Sequence, residues 1–125
     1  MLKNLLIVGL GGSIGSIARY LCQKYFQQHY PHPFPFGTFT VNILGCFLIG
    51  VFYALSEKGN LIGPEWRIFL TTGICGGFTT FSSFAYENVT LLRAADFLYA
   101  GLYVAGSIIL GIMATFCGIV LLKWL

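Results

Sequence analysis

The stretch Thr71-Thr-Gly-Ile-Cys-Gly-Gly-Phe-Thr-Thr-Phe-Ser-Ser-Phe84 lies in the middle of a longer apolar run, Trp66 to Leu92. Such a run can cross a bilayer, which takes about 20 residues of helix. Its centre is unlike a lipid-facing helix, because Gly73, Gly76 and Gly77 precede Thr79 and Thr80, and Ser82 and Ser83 follow. This predicts a break in the helix at mid-membrane. A break releases backbone carbonyls and amide hydrogens that lipid cannot satisfy, so the segment must be buried in protein or face water or an ion. Released carbonyls suit a cation, and released donors suit an anion.

The remainder of the chain fits a membrane setting. Its 125 residues are 57% hydrophobic and 9% charged, with a mean hydropathy of +0.81. A soluble domain carries roughly 25% charged residues, so this chain cannot coat a water-soluble globule. Four spans are predicted, over residues 4–25, 38–55, 66–92 and 97–122, and they nearly exhaust the sequence. The expected architecture is therefore all-α and integral to the membrane, one four-helix domain over residues 1–125. No small-residue cleavage site stands out after the first apolar stretch, so the first helix is expected to be retained.

The connections have their own chemistry. His29-Tyr-Pro-His-Pro-Phe-Pro35 carries prolines on alternate positions, each lacking a backbone donor and biasing its predecessor to extended geometry, which predicts a loop. Ser56 to Gly63 reads as a short polar turn, and Pro64 and Glu65 suit the first turn of the third helix. Trp66 and Trp124 are placed as interfacial anchors, and Asp96 is placed to cap the fourth helix.

Four crossings put both termini on one side, with Lys3, Lys58, Arg67 and Lys123, against Arg19, Lys24 and Arg93 on the other. A split of four against three gives the positive-inside rule almost nothing to act on. Such a chain can insert in both orientations, and two oppositely inserted copies can form an antiparallel dimer; the other reading is a single orientation set by one charge.

Several features compete between packing and chemistry. Gly9-Leu-Gly11-Gly12-Ser-Ile-Gly15 approximates a dinucleotide-binding glycine turn, but the acid needed about 20 residues on is missing, and the first acid is Glu57. Gly11 and Gly15 read instead as a small-residue face for close helix packing. Thr38, Asn42 and Gly45 share a helix face; the Asn42 amide either bonds between helices or lines a polar path. Phe81 and Phe84 also share a face, and their ring edges are the positive part of the aromatic quadrupole, able to meet an anion or simply to pack. Tyr103, Ser107 and Gly111 form a stripe on the fourth helix, a helix contact or a line of donors. Arg19 is either a snorkelling anchor or an attractor of anions. Glu87 is expected to pair with a basic residue or to line a vestibule.

Cys22, Cys46, Cys75 and Cys117 fall one to each apolar segment and read as packing residues, not a disulfide or zinc framework. His29 and His32 are close enough in sequence to touch one metal, though exposed loop histidines usually bind nothing. No nucleophile with its base, and no pair of carboxylates, is near enough to support catalysis, so no enzymatic activity is expected. Nothing points to a nucleic-acid partner.

Three motifs then carry a resemblance. Gly11-Gly-Ser-Ile-Gly15 followed by Arg19-Tyr20, Gly37-Thr-Phe-Thr-Val-Asn42 followed by Gly45, and Gly73-Ile-Cys-Gly-Gly-Phe-Thr-Thr-Phe-Ser-Ser-Phe84 resemble the Fluc (CrcB) fluoride channels over almost the whole chain. The resemblance implies a dual-topology antiparallel homodimer with two anion pathways and a central structural sodium ion, in a bacterial inner membrane. It implies a fluoride pathway of Asn42, Phe81, Phe84, Thr80, Ser82 and Ser83, with Tyr103 and Ser107 opposite. Arg19 would sit at a vestibule, and the backbone carbonyls of Gly76 and Thr79 from both subunits would hold sodium. Ser83 departs from the family's usual threonine, and Gly111 stands where a further serine is common. The competing reading is a small dual-topology, proton-coupled multidrug exporter, which needs a proton-binding acid, usually in the first helix; this chain has none there.

Overall fold

The computed structural model describes residues 1–59 and 61–125. Four helical spans, each long and apolar enough to cross a membrane, account for most of the chain. The first is α1 (Leu2–His29) and the second α2 (Phe36–Glu57). The third comprises α3 (Pro64–Ile68), a π-wound segment (Phe69–Cys75), α4 (Gly76–Phe78) and α5 (Phe81–Arg93). The fourth is α6 (Phe97–Lys123). Every predicted span is present and runs a few residues further at one or both ends; of the expected polar turn, Ser56 and Glu57 are helical and Asn60 lies outside the described residues.

Small residues bring the spans together, as expected where lipid offers helices no hydrophobic drive to associate. The buried residues of α1 are Gly11 and Gly15. A Cβ on Gly15 would run into the Ile74 carbonyl and the Phe78 amide, and one on Gly77 into the Gly12 carbonyl. The glycine run near the N-terminus is thus a packing face against the third span, as its spacing predicted. On the other side, Gly50 meets the Thr115 backbone and Gly118 the Phe47 and Val51 backbone, locking α2 to α6. Thr115 adds a hydrogen bond from Oγ1 to the Cys46 carbonyl (2.9 Å).

The break in the third span falls one step later than the glycines. Gly76 and Gly77 are helical, whereas Thr79 (φ −90°, ψ 157°) and Thr80 (φ −150°, ψ 119°) are extended. The glycines serve close approach to α1; the two β-branched threonines, which favour extended backbone, form the interruption. Thr80 then caps α5, its Oγ1 accepting from the Ser83 amide (3.1 Å).

The third span ends in a left-handed turn. The Ala95 amide donates to Leu92 (3.1 Å) and the Asp96 amide to Leu91 (2.9 Å), with Ala95 at φ 57°. This is the double bond pattern of a Schellman stop, with alanine where glycine is usual. Asp96 holds the N-cap position of α6, but its side chain makes no capping bond, contrary to expectation. Glu65, in the first turn of α3 as predicted, pairs with Lys3 (2.6 Å).

Candidate functional site

At the break, a cleft of about 360 Å³ opens between α2, the third span and α6. Its wall includes Asn42, Gly45, Cys46, Cys75, Gly76, Thr79, Thr80, Phe81, Phe84 and Ser107. Of the residues singled out from sequence, Asn42, Phe81, Phe84, Thr80, Ser107, Gly76 and Thr79 are therefore brought to one place.

Asn42 organises it. Its Nδ2 donates to the Thr80 carbonyl (3.0 Å) and its Oδ1 accepts from the Thr80 amide (2.8 Å). Of the two alternatives for Asn42, the bond between spans is thus made, and it is made twice. Nδ2 carries two hydrogens and Thr80 uses one of them. The Gly45 position keeps the approach open, since a Cβ there would run into Thr79 Cγ2.

The clamp also decides which carbonyls are released. Thr80 N–H would continue the ladder to the Gly76 carbonyl, but Asn42 holds it instead. Thr79 precedes the N-cap of α5, and the amide four residues on, Ser83, is bonded to Thr80 Oγ1. The Gly76 and Thr79 carbonyls are thereby freed from the helical ladder beside the cleft. Neutral carbonyl oxygens suit a hard alkali cation, so these residues fit sodium by donor chemistry. The Gly77 carbonyl has its own partner, the Arg19 Nε at 2.9 Å. Arg19 is thus a cation at a helix C-terminus, the favourable end for positive charge.

Phe81 and Phe84 stand with ring centroids 5.6 Å apart, and Phe81 is 79% exposed on the single chain. Ser107 Oγ is buried with no hydrogen-bond partner among the described residues. An orphaned hydroxyl inside a bundle calls for an explanation, and a donor kept for a ligand is one. Ser82 and Ser83 do not line the cleft. Their hydroxyls meet Thr80 Oγ1 at 3.4 and 3.2 Å, tying the hydroxyl cluster to the cap of α5.

Tyr103 makes a helix contact, one of the two readings its stripe allowed. It is fully buried, its ring packed edge-on to Phe84 (4.9 Å), and its hydroxyl donates to Glu87 Oε1 (2.9 Å). Glu87 Oε2 accepts from Thr38 Oγ1 (2.8 Å), which in turn accepts from Gln23 Nε2 (3.0 Å). Of the two readings of Glu87, the basic partner is not found, its carboxylate being bonded by two hydroxyls, while the side chain does line a cavity. The relay Gln23–Thr38–Glu87–Tyr103 takes one side chain from each of the four spans, and its first three members border a second cavity of about 550 Å³ under the proline loop. Gln23 gave no sequence signal beyond an amide four residues after Arg19. Glu87 did, because an acid within a span is by default a functional candidate.

Of the two histidines, His29 ends α1 with its Nδ1 bonded to the Tyr25 carbonyl (3.0 Å), and His32 Nδ1 in the proline loop accepts from the Phe34 amide (3.0 Å).

A four-span bundle whose third span breaks against a largely apolar, phenylalanine-walled cleft holding a few polar groups defines a multi-pass integral membrane protein with a site at mid-span. The chain belongs to the CrcB family: the family described as CrcB-like protein, Camphor Resistance (CrcB), matches residues 6–119. It is similar to the fluoride-specific ion channel FluC of Chlorobaculum tepidum, with 50% identity covering 98% of this chain and 97% of the relative. The fluoride-specific ion channel FluC of Flavobacterium psychrophilum is 44% identical, covering 98% of both chains. That of Chlorobium chlorochromatii is 49% identical over 98% of this chain and 94% of the relative.

Proposed function

We propose that this chain is a fluoride-selective passive channel of the bacterial inner membrane that lets cytoplasmic fluoride leave and so lowers its toxicity. The observation that carries the reading is the orphaned Ser107 hydroxyl, buried in the same cleft as Phe81 and Phe84. Fluoride is small and strongly hydrated, so a path must replace its water with donors. The Ser107 hydroxyl, the second Asn42 N–H and the ring edges of Phe81 and Phe84 are donors of that kind. The whole-length similarity to channels named for fluoride supports the same assignment.

The remaining pathway residues act in two ways. Thr80, Ser82 and Ser83 hold the start of α5 and with it the Phe pair. Tyr103 backs Phe84, fixing its ring. Arg19 supplies positive charge at the end of α4, toward a vestibule. The working unit is an antiparallel homodimer. The exposed Phe81 ring and the near-even charge split favour a second, inverted copy closing the cleft. The Gly76 and Thr79 carbonyls of both copies would hold a structural sodium ion, whose fixed positive charge favours an anion nearby.

Transport needs no energy source. In acid surroundings fluoride enters as neutral HF, dissociates in the less acid cytoplasm and is trapped, so a passive anion path carries it outward. A proton-coupled exporter lacks its acid in α1, since the first acid of the chain is Glu57.

The assembly is tested by labelling a single introduced surface cysteine in intact cells and in inverted vesicles. Near-equal labelling on both faces is expected, and labelling confined to one face contradicts the antiparallel pair.

A further inference from the structure

The cavity under the proline loop shares no lining residue with the cleft at the break and has its own chemistry. At about 550 Å³ it falls within the range of small-molecule sites, about 300–1,000 Å³. Glu87 lines it, and among the described residues no lysine or arginine does. Both carboxylate oxygens accept a hydroxyl hydrogen, one from Thr38 and one from Tyr103, which is the bonding of an ionised group. His32, also on the wall, uses Nδ1 to accept from the Phe34 amide, so its ring is neutral. Glu87 therefore brings a negative charge to the cavity with no cation to match it, a costly arrangement within a span until one arrives.

We infer that this cavity binds a primary ammonium group carried on an apolar body. Such a group offers three N–H donors and no acceptor, and the wall holds acceptors for it. Thr38 and Tyr103 leave each Glu87 oxygen a further lone pair. Gln23 spends its Nε2 on Thr38, which leaves Oε1 to accept, and Gln27 brings a second amide oxygen to the same wall. The rings of Phe26 and Tyr30, with centroids 5.7 Å apart, and of Phe34 supply faces for the cation and apolar contact for the body. Ammonium and carboxylate neutralise each other on binding. A metal ion is served less well, because among the described residues no three His, Cys, Asp or Glu side chains gather to hold one. A soluble amine and the ethanolamine headgroup of a membrane lipid both present this chemistry. The inference does not depend on which ion the channel carries.

The test titrates full-length protein in detergent with phenethylammonium, by calorimetry against the same detergent without protein. Saturation at one amine per chain is expected. 2-Phenylethanol, with the same body and no charge, should bind at least about tenfold more weakly, and Glu87→Gln should weaken amine binding by as much. Should Glu87→Gln not fold, Tyr30→Ala, which removes an exposed ring from the wall, should weaken it severalfold. No saturable binding, equal binding of the alcohol, or native affinity in whichever variant folds overturns the site. Phosphatidylethanolamine or phosphatidylcholine added to the micelles separates the two sources. Displacement of the amine by phosphatidylethanolamine alone supports a lipid headgroup as the occupant, undiminished binding in both supports a soluble amine, and equal displacement by both lipids overturns recognition through three N–H donors.

Discussion

Asn42 grips the Thr80 peptide at both ends, its Nδ2 on the carbonyl at 3.0 Å and its Oδ1 on the amide at 2.8 Å. One side chain thus replaces the helical ladder where the third span is interrupted. Asn42→Ala would orphan both Thr80 groups, each such loss costing about 1–3 kcal/mol. A lower thermal midpoint in detergent and slower fluoride efflux are expected together. Asn42→Asp keeps the acceptor but sets an oxygen against the Thr80 carbonyl and a carboxyl in an anion path, so its fluoride efflux should be no faster than that of Asn42→Ala. A native midpoint for Asn42→Ala would remove the clamp from the account.

Ser107 should separate stability from transport. Its hydroxyl has no partner to lose, so Ser107→Ala is expected to change stability by no more than about 0.5 kcal/mol, as at sites free of specific contacts. Fluoride efflux should nevertheless slow, because a donor in the cleft is gone. Native efflux from Ser107→Ala would place the pathway elsewhere.

The turn after α5 offers a stabilising change. Ala95 sits at φ 57°, a conformation that costs a non-glycine residue about 1–2 kcal/mol. Ala95→Gly relieves that strain and gives back part of it as unfolded-chain entropy, about 0.5–1 kcal/mol. A rise in thermal midpoint equivalent to at most about 1 kcal/mol is expected, with efflux unchanged. A fall in midpoint would contradict the strain at this turn.

The sequence carried the spans because their cause is composition: a chain with 9% charged residues has to put its helices in lipid. It carried the glycine faces too, since Gly11 and Gly15 recur at helical spacing and bury against Gly73 and the backbone of Ile74 and Phe78. The break was legible as a region and not as a residue. Glycine lowers the cost of both interruption and close approach, and only packing shows that Gly73 and Gly77 serve the second while Thr79 and Thr80 form the first. Asn42 was legible as a face of α2, but its partner lies 38 residues away on another span. The Gln23–Thr38–Glu87–Tyr103 relay was illegible for the same reason: its members come from four helices, and no local spacing records which faces meet.

The most direct measurement loads liposomes carrying the purified protein with fluoride or with chloride and follows each ion's efflux with an ion-selective electrode. The account predicts rapid fluoride efflux, sustained without any proton gradient, and chloride efflux no faster than from empty vesicles. Fluoride efflux equal to that of empty vesicles, or equal passage of both anions, would contradict it.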